Sequence, residues 1–246
     1  MIIGIIPARY ESTRFPGKPL VNIHGKSMIQ RVYEQCLKAK LDRVVVATDD
    51  DSIFEHVQKF GGEVVMTSNR HKSGTDRIAE AAEKLDLSLD SIVFNIQGDE
   101  PFINPDDINL LADCFNKQLT QIATLVKRIN TIETLNNPNS PKVVLGAKQQ
   151  ALYFSRAAIP HLKGVKKENW LAEKTFFQHI GIYGFRYEIL KEISVLTSTP
   201  LEQNEGLEQL RWLENGYTIQ TAEINSESIA VDCPEDLIRI NKKFFS

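Results

Sequence analysis

The densest clustering of chemistry-bearing side chains lies between Pro7 and Leu20, where Arg9, Arg14 and Lys18 share one segment with Ser12, Thr13 and Gly17. An arginine can fork onto two phosphate oxygens, a lysine supplies a compact point charge, and a glycine lets backbone N–H groups approach an anion. The segment suits a polyphosphate cradle, and by composition it equally suits a solvated basic loop. Carboxylates form a second set. Asp99, in Gln97-Gly98-Asp99-Glu100-Pro101, is either a turn-capping residue or a hard oxygen ligand of the kind that holds Mg2+ together with substrate phosphates. Asp49-Asp50-Asp51 has a D-x-D spacing that metal-dependent glycosyl transfer uses, but acids ahead of a helical stretch fit the helix N-terminus better. Asp232 and Glu235, with Pro234 between them, read as a capping box before the stripe Leu237, Ile240, Phe244.

These residues need a scaffold that gathers them. Apolar runs rich in β-branched residues recur at Ile2–Ile6, Val44–Val46, Val64–Met66 and Ile92–Ile96, separated by stretches of helical period such as Met28, Ile29, Val32, Tyr33, Cys36. Further stripes are Ile53, Val57, Phe60, then Ile78, Ala82, Leu85, then Ile108, Leu111, Ala112, Phe115. The alternation predicts an α/β fold: a mostly parallel sheet sandwiched by helices. Such sheets bind ligands beyond the carboxyl ends of their strands, where Pro7-Ala8-Arg9, Asp49-Asp50-Asp51, Thr67-Ser68 and Gln97-Gly98-Asp99 fall. From about Lys127 the pattern is less regular. Short strands are expected at Lys142–Leu145, Ala151–Phe154 and Ile180–Phe185, and helices near Leu201–Asn215 and Pro234–Lys243. With no repeat or long linker, residues 1–246 read as a single domain, with a less regular, inserted region near 127–205 that could form a dimer.

Bulk properties narrow the function. The chain has 246 residues, 42% of them hydrophobic, enough for a substantial core. With 29 Lys+Arg against 32 Asp+Glu its formal charge is −3, so no basic field is available for nucleic acid or an anionic membrane. Cys36, Cys114 and Cys233 are too widely spaced for a CxxC metal site and fit a reducing cytosol. The apolar start meets Pro7 and Arg9 before signal-peptide length, and no run approaches the ~20 residues of a membrane span. A soluble, cytoplasmic protein is expected. Gly25-Lys26-Ser27 imitates the end of a Walker A loop, but Leu20 stands where its first glycine belongs, so it reads as a turn with Ser27 capping the next helix. No GxGxxG follows a predicted strand, which argues against a dinucleotide-dependent oxidoreductase.

Seven stretches carry a resemblance along nearly the whole chain: IPARYESTRFPGKPL at 6–20, HKSGTDR at 71–77, NIQGDEP at 95–101, ALYFSRAAIP at 151–160, HIGIYGF at 179–185, LEQLR at 207–211 and VDCPEDL at 231–237. In that order they resemble the 3-deoxy-manno-octulosonate cytidylyltransferases, the CMP-Kdo synthetases. The resemblance implies a nucleotidyltransferase-like, Rossmann-like domain, usually homodimeric, that activates Kdo with CTP for lipopolysaccharide assembly. It places Arg9, Arg14 and Lys18 on the CTP phosphates, and Pro7, Ala8, Ser73, Arg77 and Gln97 around the nucleotide. Asp99 and Asp232 would bind Mg2+, with Arg9 and Lys18 completing the catalytic set. Arg156, His179, Tyr183, Glu208 and Gln209 would shape the sugar-acid pocket. Cys233 departs from the family, many of whose members carry threonine there.

The implied reaction is attack of the anomeric 2-hydroxyl on the α-phosphorus of CTP with loss of pyrophosphate, driven by positioning and charge neutralisation. No side chain stands out as a general base. A cytidylyltransferase for 8-amino-Kdo or a sialic acid would carry the same catalytic motifs. A non-catalytic nucleotide-sugar sensor is disfavoured by the intact Lys18, Asp99 and Asp232.

Overall fold

The computed structural model describes every residue except 12–14, 118, 228–229 and 246, so Arg14 of the expected cradle lies outside the described residues. Its strands are β1 (Ile2–Ala8), β2 (Asn22–Ile23), β3 (Lys26–Ser27), β4 (Arg43–Thr48), β5 (Val64–Met66), β6 (Ile92–Asn95), β7 (Ile122–Arg128), β8 (Lys142–Leu145), β9 (Ala151–Ser155), β10 (Phe177–Arg186) and β11 (Ile219–Ile224). Its helices are α1 (Met28–Cys36), α2 (Asp51–Lys59), α3 (Gly74–Lys84), α4 (Pro105–Asp113), α5 (Ile132–Asn136), α6 (Trp170–Glu173), α7 (Tyr187–Ser194), α8 (Pro200–Glu205), α9 (Gln209–Glu214) and α10 (Asp236–Phe244).

The main sheet runs β11-β7-β10-β6-β1-β4-β5. Its pairs are parallel except where β10 meets β6 and β7, so one reversed strand interrupts an otherwise parallel array. β1 is apolar throughout because both faces are covered: Ile5 joins a core with Ile78 and Ala81 of α3, while Ile6 joins one with Ile29 of α1 and Ile53 of α2. Each such isoleucine contributes about 1.5–3 kcal/mol by leaving water. Helix starts obey local chemistry. Ser27 accepts the Gln30 N–H at 3.2 Å, Asp50 that of Ile53 at 3.0 Å and Ser73 that of Asp76 at 3.1 Å.

The first half of the chain matches the sequence reading; in the second, the strands expected at Lys142–Leu145, Ala151–Phe154 and Ile180–Phe185 are β8, β9 and part of β10, while other elements depart from it. β7 and β11 were not anticipated, yet β7 pairs with both β10 and β11. The helical stretch expected near Leu201–Asn215 is divided into α8 and α9, because Gly206 ends α8 in the left-handed region at φ 60°. The expected capping box at Asp232 is also corrected. Residues 233–235 form a turn, α10 starts at Asp236, and it is the Asp236 carboxylate that accepts the Asp232 and Cys233 backbone N–H groups at 2.9 and 3.1 Å. Within the irregular region, β8 and β9 extend the sheet off β10, and Trp170 and Phe176 pack with Ile129 and Leu135 in a small separate cluster.

Candidate active site

Three strands of the parallel array end towards one cavity, which their following loops line. β1 delivers Pro7, Ala8 and Arg9, β6 delivers Gln97, Gly98 and Asp99, and the loop after β5 delivers His71, Lys72 and Ser73. Lys18, Pro19, Gly74, Arg77 and Asp232 complete a cleft of about 290 Å³. Gly98 is required by contact, since a Cβ there would stand 3.0 Å from the Pro7 carbonyl oxygen, which cannot yield without moving β1.

Lys18 is the electrostatic centre. Its Nζ donates to Asp99 Oδ2 at 2.8 Å and to the Val231 carbonyl at 2.8 Å, and lies 3.8 Å from Asp232 Oδ1. One cation thus sits between two carboxylates from distant parts of the chain. At the opposite wall α3 presents its N-terminus, with Ser73 as cap and Gly74 first in the helix, a position that favours anions. Arg77 is 4% exposed and fully engaged: Nη2 donates to Asp49 Oδ2 at 2.7 Å and Nη1 to Thr67 Oγ1 at 2.7 Å. That pair, with Asp50 spent on capping, accounts for the acidic run as helix-start and ion-pair chemistry rather than a D-x-D metal site. His71 bonds Glu80, whose burial opposes ionisation while Lys84, the Ser68 N–H and His71 together bring its carboxyl down to about 2.

The five sugar-site candidates are not gathered into this cleft. Gln97 donates from Nε2 to the Gly181 carbonyl at 2.9 Å, pinning a register shift in β10 between Ile180 and Tyr183 to the end of β6. Beyond that wall lies a second cavity of about 490 Å³, which shares Asp232 with the first and is lined by His179. His179 is buried, with Nε2 3.1 Å from Thr124 Oγ1, and burial drives its pKa down to about 3. It is therefore a neutral hydrogen-bonding group at pH 7, not a proton carrier. The buried Tyr183 hydroxyl and the Gln209 Nε2 have no hydrogen-bond partner among the described residues. Burial raises the Glu208 carboxyl, against the Thr75 and Ser73 hydroxyls, and Thr75 Oγ1 donates to it at 2.7 Å. Arg156 is a strut: it donates to the carbonyls of Glu205, Pro138 and Gly206 at 2.6, 3.0 and 3.2 Å. The sequence reading did not assign a role to Lys72, His71, Pro19 or Gly74. A cation beside a capped helix start was the available signal for Lys72.

Among the described residues no group of three or more His, Cys, Asp or Glu is gathered as a metal cage, and no helix is long and apolar enough to cross a membrane. Fold and cleft together define a nucleotidyltransferase-like α/β protein, with an anion cradle at the strand ends and paired carboxylates opposite. The comparisons with known proteins agree with that class. A cytidylyltransferase family model matches residues 3–224. A protein of Parabacteroides distasonis named 3-deoxy-manno-octulosonate cytidylyltransferase is 56% identical over 239 residues, covering 96% of this chain and 94% of that one. One of the same name from Francisella tularensis subsp. holarctica is 45% identical, covering 98% and 97%. A solved CMP:2-keto-3-deoxy-manno-octonic acid synthetase complexed with CTP superposes with TM-score 0.90 at 40% identity, over 98% of this chain and 97% of that one. The chain belongs to the 3-deoxy-manno-octulosonate cytidylyltransferases, within the wider cytidylyltransferase family.

Proposed function

We infer that the chain transfers CMP from CTP to the anomeric 2-hydroxyl of 3-deoxy-manno-octulosonate, giving CMP-Kdo and pyrophosphate. The observation that carries this is the convergence of Pro7, Ala8, Arg9, Lys18, Ser73, Arg77, Gln97, Asp99 and Asp232 on one cleft, in a chain that superposes on a synthetase solved with CTP. Arg9, Lys18, Lys72 and the start of α3 supply positive charge along the cleft for a triphosphate. The Pro7-Ala8 backbone supplies fixed donors and acceptors for the cytosine edge. The second cavity, reached past Asp232 and Gln97, has room for the acceptor sugar.

Asp99 and Asp232 fit a magnesium ion by the chemistry of their donors: hard oxygens from two segments already share one cation, the Lys18 ammonium. Mg2+ commonly takes one or two carboxylates and completes its shell with water and substrate phosphates, so the small donor set is appropriate. When bound there it would neutralise charge on the α-phosphate and the attacking oxygen. This chain's own residues would hold the leaving pyrophosphate through Arg9 and Lys18 and keep the acceptor aligned through the Gln97–Gly181 wall. A neutral His179 would act there as a positioning group.

The product would serve lipopolysaccharide assembly, the enzyme working in the cytoplasm as a homodimer joined through the region 127–205. β9 is ladder-paired on one side only, to β8, and carries Leu152 at 55% exposure, which supports that placement. Light scattering would test the dimer. The function is tested by pyrophosphate release with CTP across a panel of sugar acids. Kdo-dependent release is expected, and release with another acid but not Kdo would reassign the substrate.

A further inference from the structure

Asp232 lies beyond the last strand, and among the described residues no sheet ladder holds its segment, since β11 ends at Ile224. Contacts on two sides hold it. On the cleft side, the Val231 N–H donates to the Asp99 carbonyl at 2.9 Å and the Val231 carbonyl accepts from Lys18. On the outer side, Asp236 Oδ2 accepts the N–H groups of Asp232 and Cys233. The second set depends on where α10 sits. Leu237 and Ile240 pack with Ile23, Met28 and Val231. Phe244 stacks on Phe102 with centroids 4.0 Å apart, and Phe245 stacks on His24 at 3.7 Å.

Arg31 ties this seat to the body of the protein. Its guanidinium lies 5.4 Å from the Phe102 centroid and 5.1 Å from that of Phe245. It also donates from Nε and Nη2 to the Ile23 carbonyl at 2.8 and 2.6 Å, and from Nη2 to that of His24 at 3.0 Å. The β2–β3 turn holds His24 at φ 46°, a conformation unusual for a side-chain-bearing residue, and in it the imidazole meets Phe245. None of His24, Arg31, Phe102, Phe244 and Phe245 lines the nucleotide cleft.

We propose that Asp236 is a positioning residue for Asp232, and that the stack of His24, Arg31, Phe102, Phe244 and Phe245 is the latch that holds α10, and with it Asp236, in register with Asp99. Among the described residues the two carboxylates come from segments with no common ladder, so beside the Val231–Asp99 backbone bond and the Lys18 bridge, the placing of Asp232 against Asp99 depends on how α10 is docked. Displacing the helix changes the geometry offered to a metal without touching any ligand. This rests on Asp232 serving the metal, as inferred above.

The test compares wild type with Asp236→Ala, Asp236→Asn, the double variant Phe244→Ala/Phe245→Ala, and Asp232→Asn. One readout is the Mg2+ concentration giving half-maximal pyrophosphate release. The other, independent of turnover, is the rise in Tm with CTP plus Mn2+ over that with CTP plus EDTA. Asp236→Ala and the double variant should need roughly 10-fold more Mg2+ and lose most of the metal-specific rise, the scale expected when a ligand's support is removed. They should keep the rise due to CTP with EDTA. Asp236→Asn should stay near wild type, since its amide oxygen can accept the same two N–H groups. Wild-type behaviour of Asp236→Ala and the double variant overturns the latch, as does Asp236→Asn failing as badly as Asp236→Ala. Should Asp236→Ala not fold by circular dichroism, the double variant decides alone, because its rings are 36% and 38% exposed and outside the main core. Wild-type behaviour of Asp232→Asn would instead remove the metal reading itself.

Discussion

Replacing Lys18 by alanine separates two roles that the geometry gives one side chain. In the free protein Lys18 donates to Asp99 and Val231 at 2.8 Å, with 17% of its side chain exposed and 27% of that of Asp99. Hydrogen bonds to charged groups contribute about 1.5–3 kcal/mol each, and water replaces part of that at a partly open site. A net loss of about 1–3 kcal/mol in stability follows, and for a chain of this size each kcal/mol lowers Tm by about 2–4 °C. In the complex the lysine would also contact the triphosphate. Removing a contact of the same strength would lower kcat/KM for CTP by roughly 10–100-fold, with kcat falling too if the charge is felt by the departing pyrophosphate. The Mg2+ requirement should not rise, because the cation that shares both carboxylates is gone. Arginine should rescue poorly, since a planar fork does not replace a compact ammonium between two carboxylates. Steady-state kinetics over CTP and Mg2+, beside thermal melts, make the comparison. A lowered Tm with wild-type kcat/KM would refute the reasoning and leave Lys18 as a structural strut.

Asp99→Asn and Asp232→Asn should each reduce turnover by roughly 10²-fold or more, as expected for loss of a principal electrostatic stabiliser, and full activity in folded variants would discard the metal assignment. CTP should be strongly preferred to UTP, because exchanging cytosine's amino donor for a carbonyl acceptor mismatches fixed backbone groups; equal kcat/KM for the two would contradict the placement of the base. His179 gives a pH prediction with a definite sign. Its pKa falls from 6.5 to about 3 on folding, so between those values the unfolded chain binds more protons and stability is lost as pH falls below 6.5. Its share between pH 7 and pH 5 is about 2 kcal/mol. Urea melts of wild type and His179→Gln should therefore differ in pH slope, and parallel slopes would count against a neutral buried imidazole.

The sequence exposed the parallel half of the sheet because strands covered on both faces become unbroken apolar runs, as Ile2–Ile6 shows. β11 escaped notice for the opposite reason. As an edge strand it carries Gln220 and Glu223 among its apolar residues, and its burial follows no simple period. The rule that ligands gather beyond strand ends located Pro7, Arg9, Gln97 and Asp99 directly. Asp232 could not be found that way, because it reaches the cleft through contacts such as that between Lys18 and Val231, 213 residues apart. Its motif looked like helix capping, whereas in the structure the Asp236 carboxylate holds the Asp232 and Cys233 N–H groups ahead of α10. Arg156, a sugar-site candidate by motif, occupies a site where the backbone carbonyls of a helix end consume its donors, a demand local sequence does not display.

The reversal of β10 has a consequence for how this scaffold can vary. In a fully parallel sheet every neighbouring strand would offer a loop at the cleft, and loops accept insertions freely. Here the strand beside β6 runs the other way, so at the far side of Gln97 the cleft meets continuous backbone, shifted in register between Ile180 and Tyr183 and held by the Gln97–Gly181 hydrogen bond. The side of the cleft lined by strand-end loops can therefore diversify by lengthening or shortening connections. The side lined by β10 is confined to exchanges of one side chain for another within a fixed ribbon, because a residue inserted there would turn every following side chain of β10 to the opposite face of the sheet.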